Sequence, residues 1–154
     1  MNAKWINPFL KSSLEVLTTM AQLNPKPGKP FLKKDRTARG DVTGMIGLVG
    51  KTVRGSLAVS FTEAAVREIA FRMLGERPTE LDSSVADMVG EITNMITGGA
   101  KRVLWDAGFK FDMAIPTTIV GANHMISHNT SGPVIVVPFE MEGGSFFIEV
   151  CFEE

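Results

Sequence analysis

The segment at residues 81–105 constrains the fold more than any other part of the sequence, because it has the apolar periodicity of one long helix. At about 100° per residue, most of its apolar side chains fall within roughly ±60° of one direction, so this face is predicted to pack on a core. Asp82 or Ser83 is the predicted N-cap, and the helix is expected to end at Ala107-Gly108. The predicted core-facing residues are Val85, Met88, Val89, Ile92, Ile96, Gly99, Ala100 and Val103.

The opposite face of this helix carries Asp87, Glu91, Asn94 and Gly98. Glu91 and Asn94 are three residues apart, so their side chains are neighbours and can act on one target. A glycine inside a helix costs up to about 1 kcal/mol relative to alanine. On an exposed face Gly98 has no packing gain within the monomer, so we expect it to give clearance to a partner, and Gly90 is interpreted similarly. The alternative is an ordinary solvated face of an amphipathic helix.

Two further helices and several strands are predicted around this segment. One helix begins at Asn7-Pro8 and ends at Asn24-Pro25, and another begins at Thr62 and ends at Gly75. Strands are predicted at residues 42–49, 54–61, 117–121, 125–128, 133–140 and 145–152. The short turns require antiparallel pairing. The predicted fold is therefore α+β, an antiparallel sheet with long helices packed on one face, as a single domain over residues 1–154.

Composition excludes several classes of function. The net charge of −1 gives no general attraction to nucleic acid or to anionic membranes, so neither is expected as a partner. No apolar run approaches the ~20 residues of a membrane span, and residues 1–17 lack the pattern of a signal peptide. Cys151 is the only cysteine, which excludes an internal disulfide and a multi-cysteine metal site. We therefore expect a cytoplasmic protein.

Residues 25–40 are predicted to be a connector within the domain, rich in proline and in basic side chains. We interpret this connector as a solvated linker or a blunted sheet edge, and contact with an anionic partner is the alternative. Its prolines and basic residues are Pro25, Pro27, Pro30, Lys26, Lys29, Lys33, Lys34, Arg36 and Arg39.

Three other patterns are interpreted as structural. The Gly-Lys-Thr sequence at residues 50–52 lacks the earlier glycine and the following helix of a phosphate-binding loop, so a hairpin turn is predicted. His124 and His128 have the spacing of a metal pair on a helix, but they lie in strand and loop without a third ligand. They are predicted to be surface or hairpin histidines, and no metal site is expected. Cys151 is predicted to be a structural thiol on an apolar strand.

The pattern Asp87-x-x-x-Glu91-x-x-Asn94, followed by Gly-Gly-Ala at residues 98–100, resembles the signature of the CheC/CheX/FliY chemotaxis phosphatases. That family also has a proline some twenty residues further on, and Pro116 stands near that place. The ending at residues 138–149 resembles the last hairpin of the family.

CheC-type members of this family carry two copies of the motif. In the second predicted helix of this chain, Glu68 is followed three residues later by Phe71 rather than by asparagine. The chain is therefore similar to the single-motif CheX type.

The resemblance implies hydrolysis of the aspartyl phosphate on a CheY-type response-regulator receiver domain in chemotaxis signalling. Carried onto this chain, the family's catalytic pair is Glu91, which would contact the receiver's lysine, and Asn94, which would orient the attacking water. Asp87, Gly98 and Lys101 are expected to contact the partner. This chain is expected to hold no cofactor, since Mg²⁺ would arrive with the receiver.

The resemblance to CheX-like proteins implies a homodimer, and pairing of two edge strands is one way to form it. The alternative function is a receiver-binding or dimeric scaffold domain that keeps the same fold without turnover.

Overall fold

The computed structural model describes residues 3–128 and 130–153, which form three helices and eight strands. In chain order these are α1 (Ala3–Ala21), β1 (Lys26–Pro27), β2 (Phe31–Leu32), β3 (Val42–Gly50), β4 (Arg54–Phe61), α2 (Glu63–Leu74), α3 (Ser83–Asp106), β5 (Phe111–Met113), β6 (Thr117–Val120), β7 (Val134–Met141) and β8 (Gly144–Glu153).

The strands form one antiparallel sheet in the order β1-β7-β8-β4-β3-β5. The short strand β2 also pairs with β7, and β6 pairs with β3, so each edge of the sheet consists of two short pieces. The predicted α+β fold is confirmed. The sequence did not predict β5, and residues 125–128 are not a strand, because only an isolated bridge joins Thr37 to Met125.

The alternation of side chains in β4 shows how the sheet is covered on both faces. Leu57 and Val59 belong to the main core beneath the helices, whereas Ala58, between them, packs on the other side with Ala38 and Ile126. The connecting segments at residues 33–40 and 121–128 therefore cover the face that the helices leave open. The helices pack on one face, as predicted.

The start of α1 differs from the prediction, because the chain is already helical at Ala3 rather than beginning at Asn7. Trp5 stacks on Phe152 with ring centroids 4.7 Å apart, and this packing holds the additional turn against the sheet. Pro8 lies in the second turn, where it removes a single hydrogen bond near the end of the helix.

The ends of the other two helices agree with the sequence. Thr62 caps α2 by accepting a hydrogen bond from the backbone N–H of Ala65, and Gly75 ends it at φ 85°. Asp82 caps α3 by accepting from the backbone N–H of Val85. Among the described residues, no helix combines the length and the apolar character that crossing a membrane requires.

Two close contacts fix the position of α3. A Cβ atom on Gly44 of β3 would lie 1.9 Å from Thr93 Oγ1 of α3, and one on Gly99 would lie 2.3 Å from Ser12 Oγ of α1. Ser12 Oγ also donates a hydrogen bond to the carbonyl of Ile96 at 2.7 Å. The absence of side chains at two glycines thus lets α3 approach both the sheet and α1.

Gly44→Ala should lower the free energy of unfolding by about 1–3 kcal/mol, because the added methyl group overpacks the contact with Thr93. Gly47→Ala is the matched control on the same strand, since its Cβ would meet only Ala114 at 3.9 Å. Urea unfolding of the two variants checks this expectation. Equal stability of both variants would contradict a tight contact between α3 and β3.

Candidate functional site

The outward face of α3 presents two acidic groups and an amide. Asp87 and Glu91 are exposed, and Asn94 is half-buried one turn from Glu91. Within the described part of the chain, none of these three side chains has a hydrogen-bonding or ion-pair partner. The helix thus holds the three side chains at a fixed spacing along one face, and their polar atoms remain available to another molecule.

The glycines of α3 differ in their surroundings. A Cβ on Gly98 would meet no atom within 4 Å, so this glycine faces open space, as predicted. Gly90 does not share that role, because it is buried and its Cβ would make an ordinary 3.7 Å contact with Thr118 Oγ1. The predicted core position of Val103 is also wrong. The buried stripe passes from Ala100 to Leu104, one full turn further, and leaves Val103 49% exposed.

Asn94 lies between two hollows of the surface. The first, the α1 hollow, measures about 560 Å³ and is formed by α1 and α3. The second, the β6 hollow, measures about 490 Å³ and lies between α3 and residues 114–118. Asp87 and Glu91 line the β6 hollow, and Gly98 lines the α1 hollow. Four of the five predicted site residues therefore line one surface, which extends from Asn94 into both hollows.

Lys101, the fifth predicted site residue, lies outside both hollows. Its Nζ is 3.9 Å from Asp112 Oδ1 and 5.5 Å from the ring centroid of Trp105. Asp112 is almost fully exposed, so this ion pair is weak and the ammonium group remains at the surface.

A polar cluster that the sequence did not predict lies on the other face of the sheet. Lys33 Nζ donates to Glu149 Oε2 at 2.7 Å, and His128 Nε2 donates to Glu149 Oε1 at 3.0 Å. Ser56 Oγ is bonded to Nδ1 of the same imidazole. The Glu149 carboxylate is fully buried, and the side chains of Lys33 and His128 are 2% and 5% exposed. Lys33 of the predicted solvated connector is therefore an internal ion-pair partner.

The Glu149 cluster has the residue types of a hydrolase triad but serves as a structural cross-link. Ser56 is only 1% exposed, so no substrate carbonyl can reach its hydroxyl group. Burial alone would raise the pKa of Glu149, but hydrogen bonds from His128 and Lys33, together with their charges, hold this pKa below its ordinary value of 4.5. The cluster thus ties residue 33 and residue 128 to the middle of the sheet.

The second histidine and the cysteine are also internal. His124 Nε2 lies 2.6 Å from Thr43 Oγ1, and its Nδ1–H donates to the carbonyl of Gly121 at 2.6 Å. The side chain of His128 is thus buried, which contradicts the predicted surface position, whereas His124 is half-buried in a loop. Cys151 is fully buried, as predicted for a structural thiol. The described residues contain no group of three or more histidine, cysteine or carboxylate side chains placed to bind a metal ion.

One signal in the sequence pointed to the Glu149 cluster. Glu149 stands within the apolar run of β8, where a carboxylate is buried only with a cationic or hydrogen-bonding partner. The identity of that partner depends on pairing between residues 116 positions apart in the chain.

The fold and this surface define a class of protein: an α+β domain whose longest helix carries a Glu/Asn pair and an open glycine on its outward face. The sequence profile of the family described as "Chemotaxis phosphatase CheX" matches residues 42–140. The chain therefore belongs to the CheX family of chemotaxis phosphatases within the CheC/CheX/FliY group, and it is a phosphatase, as the resemblance predicted.

Three known proteins illustrate this relationship. The CheY-P phosphatase CheX of Thermotoga maritima is 27% identical over 142 residues, which cover 92% of this chain and 90% of that protein. The crystal structure of a CheC-like superfamily protein from Shewanella sp. PV-4 is 52% identical and covers 100% of both chains, with a TM-score of 0.94. CheX in the CheX–CheY–BeF₃–Mg²⁺ complex of Borrelia burgdorferi is 29% identical, with a TM-score of 0.82, covering 97% of this chain and 98% of that chain.

Glu149→Gln should lower the free energy of unfolding at neutral pH by about 3–5 kcal/mol, because it leaves the buried Lys33 ammonium without its counter-charge. The lowered pKa of Glu149 means that the wild-type contribution is complete above pH 4.5 and is lost as the pH falls through the folded-state pKa. Denaturant unfolding between pH 3 and pH 7 should therefore show a smaller acid-side loss for the variant.

Glu153→Gln is the matched control, since it removes an exposed carboxylate from the same strand. Equal effects of the two substitutions on stability and on its pH dependence would contradict a structural role for the Glu149 cluster.

Proposed function

We propose that this chain removes the phosphoryl group from the phosphorylated aspartate of a CheY-type receiver domain in chemotaxis signalling, using the outward face of α3. The observation that carries the proposal is the pair Glu91 and Asn94, adjacent on one helix face and without an internal partner among the described residues. Two relatives support it: the Thermotoga protein is named a CheY-P phosphatase, and the Borrelia structure contains CheX together with CheY.

In the proposed reaction this chain forms no covalent bond to the phosphoryl group and needs only to position the reacting groups. An aspartyl phosphate is already an energetic mixed anhydride, and its transfer to water depends mainly on in-line placement of the nucleophile and on stabilisation of charge. The receiver supplies a lysine, its own carboxylates and the site for Mg²⁺. The chain therefore needs a group that fixes one water molecule and a group that fixes the position of α3.

The carboxamide of Asn94 meets the first requirement. Its carbonyl oxygen accepts and its NH₂ group donates, so it can hold a water molecule in one orientation next to the phosphorus atom. Asn94 is half-buried between the two hollows and has no hydrogen-bonding partner among the described residues, so its amide remains available to a water molecule. Such orientation of a reacting group supplies several kcal/mol of barrier lowering in general.

The carboxylate of Glu91 meets the second requirement. It makes a charge-assisted hydrogen bond to the receiver's lysine, which anchors α3 and fixes where Asn94 enters. Asp87, one turn earlier on the same exposed face, adds negative charge toward that lysine. Lys101, beyond the α1 hollow, contacts acidic surface at the rim of the receiver.

We also propose the domain organisation, the location and the assembly of the chain. Residues 1–154 act as one CheX-like domain in the cytoplasm, where the receiver also acts. A homodimer forms through an edge strand, since β6 is bonded to β3 on one side and short edge strands can pair with a second copy. The chain itself holds no cofactor, and Mg²⁺ belongs to the receiver.

Asn94→Ala should reduce accelerated phosphate release from a phosphorylated CheY-type receiver by at least about 100-fold, because the water loses its orienting group. Glu91→Ala should weaken both receiver binding and turnover. Phosphate release at several enzyme concentrations, together with circular dichroism and thermal unfolding, separates these effects from loss of the fold. Unaltered turnover by the Asn94 variant would contradict this mechanism.

Gly98→Ala should raise the thermal stability of the protein and yet reduce its phosphatase activity. The methyl group adds up to about 1 kcal/mol of helix propensity and meets no atom within the chain, but it occupies space that the receiver needs. Asp106→Ala is the control, because it also raises helix propensity at an exposed position of α3 but lies outside both hollows. Full activity of the Gly98 variant would show that this face needs no clearance.

A further inference from the structure

The β6 hollow has an apolar rim whose central residue is Ile115. This side chain is 89% exposed, more than any other large apolar side chain in the described ranges. Its neighbours Ala114 and Pro116 also line the hollow, together with Glu91 and Asn94. A single exposed apolar side chain is common on protein surfaces, and what distinguishes Ile115 is how its backbone is held.

Ile115 is held by a bulge in the edge of the sheet. Met113 of β5 pairs with Leu48, and Thr117 of β6 pairs with Met45, so three residues of the edge lie opposite two residues of β3. The edge therefore contains one extra residue at 114–116. Bulges next to functional sites turn a side chain away from the regular alternation of the strand.

The bulge is rigid at both ends. The backbone N–H of Ala114 donates to the carbonyl of Gly47 at 2.9 Å, and Pro116 has a fixed φ and no N–H to pair. The position of Ile115 is thus set before any partner binds. Because isoleucine is β-branched and therefore stiff at χ1, its side chain on this held backbone loses less conformational freedom on association than a flexible side chain would.

We propose that Ile115 is an apolar anchor for the receiver, packing against apolar surface beside the phosphorylated aspartate while Glu91 and Asn94 enter its active site. This inference rests on the proposed function, because the occupant of the β6 hollow is the same receiver. Ile115 lines the same hollow as Glu91 and Asn94, so a receiver that reaches the pair from this side also meets Ile115. Ile115 contributes to binding and has no part in the chemical step.

The test compares Ile115→Ala with Val49→Ala, which removes another exposed apolar side chain, 58% exposed, from β3 outside the hollow. We expect Ile115→Ala to raise the Kd for a beryllofluoride-activated CheY-type receiver, and the KM for the phosphorylated receiver, by about tenfold or more. The kcat at saturation should stay within about twofold of the wild type. Ile115→Val should restore most of the affinity, and Val49→Ala should behave as the wild type does.

Three results would overturn the anchor, and each has a different pattern. An Ile115→Ala variant with wild-type Kd and KM would reject the anchor while leaving the phosphatase proposal intact. A wild-type protein that neither binds nor dephosphorylates the receiver would reject both. If light scattering showed that Ile115→Ala dissociates a wild-type dimer, with receiver affinity unchanged, Ile115 would belong to an interface with a second copy.

Discussion

The site depends on how closely α3 approaches its neighbours. Because Gly44 has no side chain, Thr93 of α3 packs closely against the sheet. Because Gly99 has none, Ser12 of α1 packs closely against α3. These contacts at two points along α3 leave the helix little freedom to roll, because well-packed cores resist small rotations. The direction in which Glu91 projects is therefore set by glycines that carry no functional group themselves.

The two faces of the sheet divide the remaining tasks. The helix-covered face holds the aromatic and aliphatic core, and from it α3 presents its polar residues outward. The other face of the sheet holds hydroxyl groups and the Glu149 carboxylate. These groups bond to two histidines that lie in segments without regular structure. Because displacing Lys33 would leave the buried Glu149 carboxylate without its cation, this face holds the connectors to one path. The proposed recognition surface and the structural cross-link thus lie on opposite sides of one sheet.

The sequence predicted those features that depend on local periodicity. The apolar stripe of α3 runs for most of 24 residues, long enough to define the face of Asn94 and the openness of Gly98. It could not predict features that depend on register or on contacts between distant segments. The bulge at Ile115 follows from pairing with β3, and β5 has only three residues. The ion pair of Lys33 with Glu149 joins residues 116 positions apart, so no local pattern contains it.

The most direct measurement is a crystal structure of this chain bound to a beryllofluoride-activated CheY-type receiver. The account predicts that α3 enters the receiver's active site, with the Asn94 amide within hydrogen-bonding distance of a water in line with the beryllofluoride and Glu91 bonded to the receiver's lysine. A receiver seated elsewhere, on the face that carries Glu149 or along α2, would contradict the account. So would a complex in which α3 enters the active site but Asn94 points away from the beryllofluoride.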